Sequence, residues 1–227
     1  MEFDVLDEHE QGELVQKWLR ENALSIVVGV VLGIVLLFGW QQWKAHRAQH
    51  AAEAASQYQA LTDAAGAKNE ADVTRIAELL RKDYPESAYA VLAAMRQADE
   101  ASTKGDLAAA ASALGWAREH AGAPSLDALA SLRLARVKLA QGDADGALKL
   151  LDGIPKDTYV ALAGELRGDV LAKLGRRDEA RTAYAAALAA LDAQAPNRAL
   201  VQMKLDDLAV PAAAATTAAQ PSEKQPS

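Results

Sequence analysis

A run of 22 residues without a single charge, residues 22–43, limits this chain of 227 residues more than any other feature. Twelve of the residues from 24 to 40 are Leu, Ile, Val or Phe. A helix rises about 1.5 Å per residue, so the run measures about 33 Å, which matches a hydrocarbon core of about 30 Å. Each central Leu, Ile, Val or Phe favours insertion by roughly 0.3–0.6 kcal/mol. Together they supply about 4–7 kcal/mol, more than the few Gly and Ser oppose. Trp18, Trp40 and Trp43 fall where an aromatic belt sits. A buried core helix would be interrupted by polar positions, whereas this segment is apolar all round. A cleaved leader would start basic and end in small residues. Here the start is acidic and the bulky WQQWK follows. Residues 23–43 are therefore expected to form one uncleaved transmembrane helix in contact with membrane lipid.

Charge is unevenly spread. Residues 1–22 hold seven acids (Glu2, Asp4, Asp7, Glu8, Glu10, Glu13, Glu21) against Lys17 and Arg20, whereas residues 44–210 are nearly balanced. The overall charge is −7, and nothing resembles the basic stripe that nucleic acid requires. Lys17 and Arg20 flank one end of the span, Lys44 and Arg47 the other. The positive-inside count is thus a tie, and it leaves open which side of the membrane the C-terminal part occupies. Gly29 and Gly33 form a G-x-x-x-G pair. Such a pair either opens a flat face for a second transmembrane helix or reflects the frequency of Gly in apolar spans.

Beyond the span the chain is rich in Ala, which loses no side-chain entropy in a helix, and runs of alternating β-branched residues are absent. A juxtamembrane helix and turn are expected over residues 44–70, with Gly66 and Asn69 marking the turn. A further helix follows from about 71 to 84, with Val73, Ile76, Ala77, Leu79 and Leu80 on one face, and Pro85 ends it. Three glycines then punctuate the chain: Gly105, Gly142 and Gly175. Seven residues before each lies a small residue (Ala98, Ala135, Gly168). Five after lies Ala (Ala110, Ala147, Ala180), and nine after lies a large residue (Leu114, Leu151, Tyr184). A glycine in a tight turn takes positive φ at little cost. The small residues on either side would let the two helices approach, and the large one would fill the groove toward the next pair. This register, with a period near 34, resembles tetratricopeptide repeats.

The fold class that follows is all-α: one N-terminal transmembrane helix and then a tetratricopeptide-like α-solenoid over residues 71–210. Residues 71–101 are expected to form a less regular pair. The extra residues between Gly105 and Gly142 are expected to form a longer turn in REHAGAPSLDA. RALVQMKLDDLAV reads as a terminal helix whose larger apolar residues are Leu200, Met203, Leu205 and Leu208. Residues 211–227 hold no aromatic and no large aliphatic residue, so an Ala/Pro-rich disordered tail is expected there.

Chemistry is sparse. The absence of Cys excludes disulfides and thiolate metal sites and is compatible with an oxidising compartment. His46 and His50 are four apart, but zinc needs further ligands and only Glu53 lies nearby in sequence. The integrin-like tripeptide in LRGD lies inside an expected repeat helix. No P-loop, dinucleotide fingerprint or nucleophile elbow is present, so no cofactor and no enzymatic activity are expected. A span followed by helical repeats is a binding architecture. One reading makes the chain a membrane-anchored scaffold that works through its repeat grooves. The other makes the chain a membrane-tethered regulatory or assembly factor whose repeats bind a cytosolic partner.

Three stretches carry a wider resemblance: LVQKWLRENALSIVVGVVLGIVLLFGWQQWKAHR, LRLARVKLAQGDADGALKLLD and LRGDVLAKLGRRDEARTAYAAAL, followed by VQMKLDDL. Together they resemble the YfgM-like family of ancillary subunits of the bacterial SecYEG translocon. The resemblance implies a single-pass type II protein of the bacterial inner membrane. Its acidic tail (residues 1–22) would be cytoplasmic and its repeats periplasmic. It implies the SecYEG translocon, the periplasmic chaperone PpiD and secreted client polypeptides as partners, and a cytoplasmic stress regulator at the acidic tail. It carries no catalytic residue.

Overall fold

The computed structural model describes residues 8–209. The first seven residues of the acidic tail and the Ala/Pro-rich tail lie outside them. All regular structure among the described residues is helical. The chain divides into two compact units, Met1–Glu53 and Ala54–Ser227. Helix α1, Glu8–Gly66, supplies all the described structure of the first unit.

In that first unit the apolar run is exposed on every side. Leu24, Leu36 and Phe38 are 79%, 72% and 70% exposed. Apolar surface costs roughly 25 cal/mol per Å² in water and nothing comparable in hydrocarbon, so a lipid environment is what this surface fits.

The second unit is a string of helical hairpins. Helices α2 (Glu70–Asp83), α3 (Ala88–Thr103), α4 (Leu107–Glu119), α5 (Pro124–Ala140), α6 (Ala144–Asp152), α7 (Val160–Lys173), α8 (Arg177–Ala190) and α9 (Arg198–Ala209) follow in order. From α2 onward each packs on the next, and α3, α5 and α7 also touch in sequence. The core is built largely from Ala, including Ala94, Ala98, Ala110, Ala130, Ala135, Ala147 and Ala180. A small core side chain lets helix backbones approach closely. Leu114, Leu132, Leu151, Val170 and Tyr184 fill what remains.

Gly105, Gly142 and Gly175 occupy the turns of α3/α4, α5/α6 and α7/α8, with φ of 79°, 84° and 75°. In each turn the glycine N–H donates to the carbonyl three residues back: Ser102, Leu139 and Ala172. The following N–H donates to the carbonyl five residues back: Ala101, Lys138 and Leu171. That pair of bonds is the Schellman motif, which satisfies carbonyls at a helix C-terminus and requires a left-handed residue.

A fourth turn has the same bonds and no glycine. Lys68 N–H donates to Ala65 O at 3.0 Å, Asn69 N–H donates to Ala64 O at 2.9 Å, and Lys68 has φ of 58°. Asn69 then caps α2 by accepting from the Asp72 N–H, as Asp106 caps α4 and Asp143 caps α6. The hairpin partner of α2 is therefore the end of α1. Ala54 and Leu61 join Val73, Ile76, Ala77 and Leu80 in one cluster. This differs from a pair over residues 71–101 and from a repeat region starting at residue 71. The second unit begins at Ala54, inside the juxtamembrane stretch. Counting from Lys68 explains why the register is hard to see. Position −7 holds Leu61, +5 holds Val73 and +9 holds Ala77, so large and small are interchanged.

One further expectation is corrected. The spacing of Gly105 and Gly142 exceeds that of Gly142 and Gly175 because of helix length, not a long turn. Helix α4 has 13 residues against 9 in α6, and α5 has 17 against 14 in α7. On α9 the buried side chain is Val201, with Leu205 and Leu208 beside it. Leu200 and Met203 face outward and are 46% and 55% exposed.

Candidate interaction surface

Polar contacts tie successive hairpins together one period apart. The residue just before each turn reaches the second residue after the preceding turn. Lys104 Nζ bonds Glu70 Oε2 at 2.6 Å, and Gln141 Nε2 donates to Leu107 O at 3.0 Å, each across 34 residues. The third equivalent is apolar: Leu174 packs against the cluster that holds Ala144. The hydrogen bond to Lys104 and its positive charge hold the Glu70 carboxyl below the usual Glu range, and Glu70 raises Lys104 in return.

Helices α3 and α5 carry a second such tie, Arg133 NH1 to Asp99 Oδ2 at 2.8 Å, again 34 apart. Asp99 stands at the edge of two grooves. One, of about 500 Å³, is lined by Lys68, Glu70, Arg96, Glu100 and Lys104. The other, of about 320 Å³, has Leu107, Leu114 and Val137 as its apolar floor and Arg133 and Arg136 on its wall. Arg136 is exposed and has no ionic partner among the described residues. An apolar floor beneath charges of both signs suits a polypeptide segment that offers apolar side chains and charged neighbours. Trp116 joins the hairpins on the α2/α4 side. The Arg81 guanidinium lies 4.7 Å from its ring centroid, and the His120 ring stacks on it at 4.0 Å.

At the far end, Lys204 of α9 bonds Glu165 and Asp169 of α7, both at 2.9 Å, and Tyr184 donates to Asp169 at 2.6 Å. Burial by itself lowers the Lys204 pKa, but bonds and charges from Asp169 and Glu165 outweigh it and hold Lys204 above its ordinary 10.5. Burial, then the bond to Asp169, push the Tyr184 hydroxyl well above 10.0. This network engages the Asp of LRGD, and its Arg167 pairs with Asp152 at 2.6 Å.

Of the residues singled out from sequence, Ala98, Ala110, Leu114, Ala135, Ala147, Leu151, Gly168, Ala180 and Tyr184 are buried. Gly168 takes a different neighbour from the one its spacing suggests. It lies under Tyr184, where an added Cβ would come within 2.4 Å of the ring. A Cβ on Gly29 or Gly33 would meet nothing within 4 Å. The His46 and His50 rings are 5.7 Å apart, and no three metal-ligating side chains cluster among the described residues. Sequence reading missed Arg96, Asp99, Arg133 and Arg136. The signal was present as opposite charges at Asp99 and Arg133, one period apart.

Hairpins closed by Schellman turns and stacked at a period near 34 define a tetratricopeptide-type repeat protein behind a membrane-spanning helix. The family described as a tetratricopeptide repeat-like domain matches residues 16–210. The "Ancillary SecYEG translocon subunit" of Escherichia coli (strain K12) is 31% identical over 204 residues, 90% of this chain and 98% of that one. The protein of the same description from Haemophilus influenzae is 29% identical, over 81% of this chain and 89% of its own. That of Aggregatibacter actinomycetemcomitans is 26% identical, over 90% and 98%. The chain belongs to this family of ancillary SecYEG translocon subunits.

Proposed function

We propose that the chain is a non-enzymatic scaffold of the bacterial inner membrane, associated with the SecYEG translocon, that brings emerging secreted polypeptides to periplasmic chaperones. The observation that carries this reading is similarity along almost the whole length of relatives described as translocon subunits, span and repeats together. In this reading residues 1–22 are a cytoplasmic tail open to a stress regulator, and residues 23–43 span the membrane. The repeats, from Ala54 onward, lie in the periplasm. The grooves beside Asp99 receive a client segment, and PpiD is the chaperone that takes it over. Gly29 and Gly33 pack against a transmembrane helix of the translocon, where two small residues four apart permit close approach.

A photo-crosslinking residue at Arg136 should capture SecYEG, PpiD or a secreted chain in intact membranes; recovery of none of them defeats the proposal. Alkaline phosphatase fused after Lys204 should be active. An inactive fusion would favour repeats that face a cytosolic partner. Gly29→Leu with Gly33→Leu should weaken co-purification with SecYEG and leave insertion intact.

A further inference from the structure

The two ends of the span differ in a way that the count of basic residues hides. At the N-terminal end Lys17 and Arg20 are offset in sequence by Glu13 and Glu21. At the other end Lys44 and Arg47 meet no acid before Glu53. Neither Lys44 nor Arg47 has a carboxylate partner among the described residues, and both are exposed. At about 100° per residue, Trp40, Trp43, Lys44 and Arg47 share an arc of about 100° on α1, so two indoles and two cations form one face. The rings of Trp40 and Trp43 lie 5.4 Å apart, and the Arg47 guanidinium carbon lies 5.3 Å from the Trp43 centroid. Trp43 ends the uncharged run. Lys44 and Arg47 follow about 1.5 and 6 Å further along the axis, a depth that falls in the headgroup layer.

We infer that this face is a binding site for the phosphate headgroup of an anionic phospholipid in the leaflet at the C-terminal end of the span. The indoles seat at the edge of the hydrocarbon. Trp43 supports the Arg47 guanidinium, which presents paired N–H donors to a phosphodiester. Lys44 adds a second charge from the same side. Phosphate is the occupant that the charge selects, because the face offers only donors and positive charge between its aromatic residues. The inference rests on residues 23–43 being a membrane span.

The test uses the full chain with Trp18→Phe and Trp116→Phe, so that Trp40 and Trp43 are the remaining fluorophores. The protein is placed in vesicles of equal parts phosphatidylcholine and phosphatidylglycerol. Energy transfer from Trp to headgroup-labelled phosphatidylglycerol is compared with transfer to equally labelled phosphatidylcholine. Phosphatidylglycerol should be preferred, and Lys44→Ala with Arg47→Ala should reduce that preference by roughly fivefold per residue. Lys17→Ala with Arg20→Ala should leave it unchanged, and added salt should weaken it. Native mass spectrometry of the chain with all its tryptophans, counting the two lipids that stay bound, gives the same comparison without the Trp substitutions. Equal association with both lipids overturns the site and leaves the face to a polypeptide. An equal loss from the Lys17/Arg20 pair also overturns it. Release of the chain from the vesicles by alkaline extraction would instead overturn the span, so the two failures are distinguishable.

Discussion

The first hairpin, residues 54–83, and the α7/α8 hairpin solve one problem with opposite side chains. Both turn through a Schellman motif at a left-handed residue, Lys68 in one and Gly175 in the other. Seven residues before the turn stands fully buried Leu61 in the first and Gly168 in the second. Nine after it stand Ala77 and Tyr184, both buried. Volume lost on one side of the pair is supplied from the other, as at Gly168, where the Tyr184 ring occupies the space that a side chain would take. Packing fixes the summed volume at a contact rather than the identity at a position.

Four substitutions and one titration test this trade of volume and strain, each read by thermal or denaturant unfolding of the full chain in detergent. The largest effect should come from Leu61→Ala, which empties a fully buried site and should cost about 2–5 kcal/mol. Gly168→Val, the reverse change at the equivalent position, should cost about 1–3 kcal/mol by overpacking against Tyr184. The cost should shrink in a Tyr184→Ala background; an undiminished cost would show that Gly168 is needed for some reason other than that ring. Gly142→Val should cost about 1–3 kcal/mol through backbone strain alone, since a Cβ there meets no neighbour within 4 Å. An unchanged midpoint would contradict the left-handed turn. Lys68→Gly should stabilise by about 0.5–1 kcal/mol by relieving that same strain, with the loss of unfolded-chain restriction opposing it.

The titration should have the smallest effect. Tyr184 and Lys204 both have folded pKa values raised above their ordinary 10.0 and 10.5. A raised pKa gives stability that is complete below the unfolded value and is lost as pH climbs toward the folded one. The α7/α8/α9 end should thus keep its stability through neutral pH and lose it above about pH 10, and Tyr184→Phe should remove part of that loss. In the first hairpin the pair of Glu70 with Lys104 is exposed, so raising the pH over the same range should cost less stability there.

Much of the fold is legible in local sequence. The uncharged run and the three turn glycines act within a few residues of themselves, so their meaning survives without a partner in view. Lys68 was obscured because a left-handed lysine leaves no compositional mark, and Leu61 and Ala77 because each is explained only by what faces it. The grooves were less legible still. Asp99 and Arg133 look like ordinary surface charges until the stacking of α3 on α5 sets them 2.8 Å apart.

Local sequence suffices for an apolar helix long enough to cross a bilayer, a helical chain with turns at fixed places, and a repeat near 34 residues, because backbone preference and hydrophobicity are properties of short segments. Packing of distant segments sets the end of α1 in the first hairpin. It also decides that Val201 rather than Leu200 or Met203 closes the last one, and that Tyr184 lies over Gly168. These are questions of which surfaces meet, and the energy of a contact exists only once both sides have been brought together.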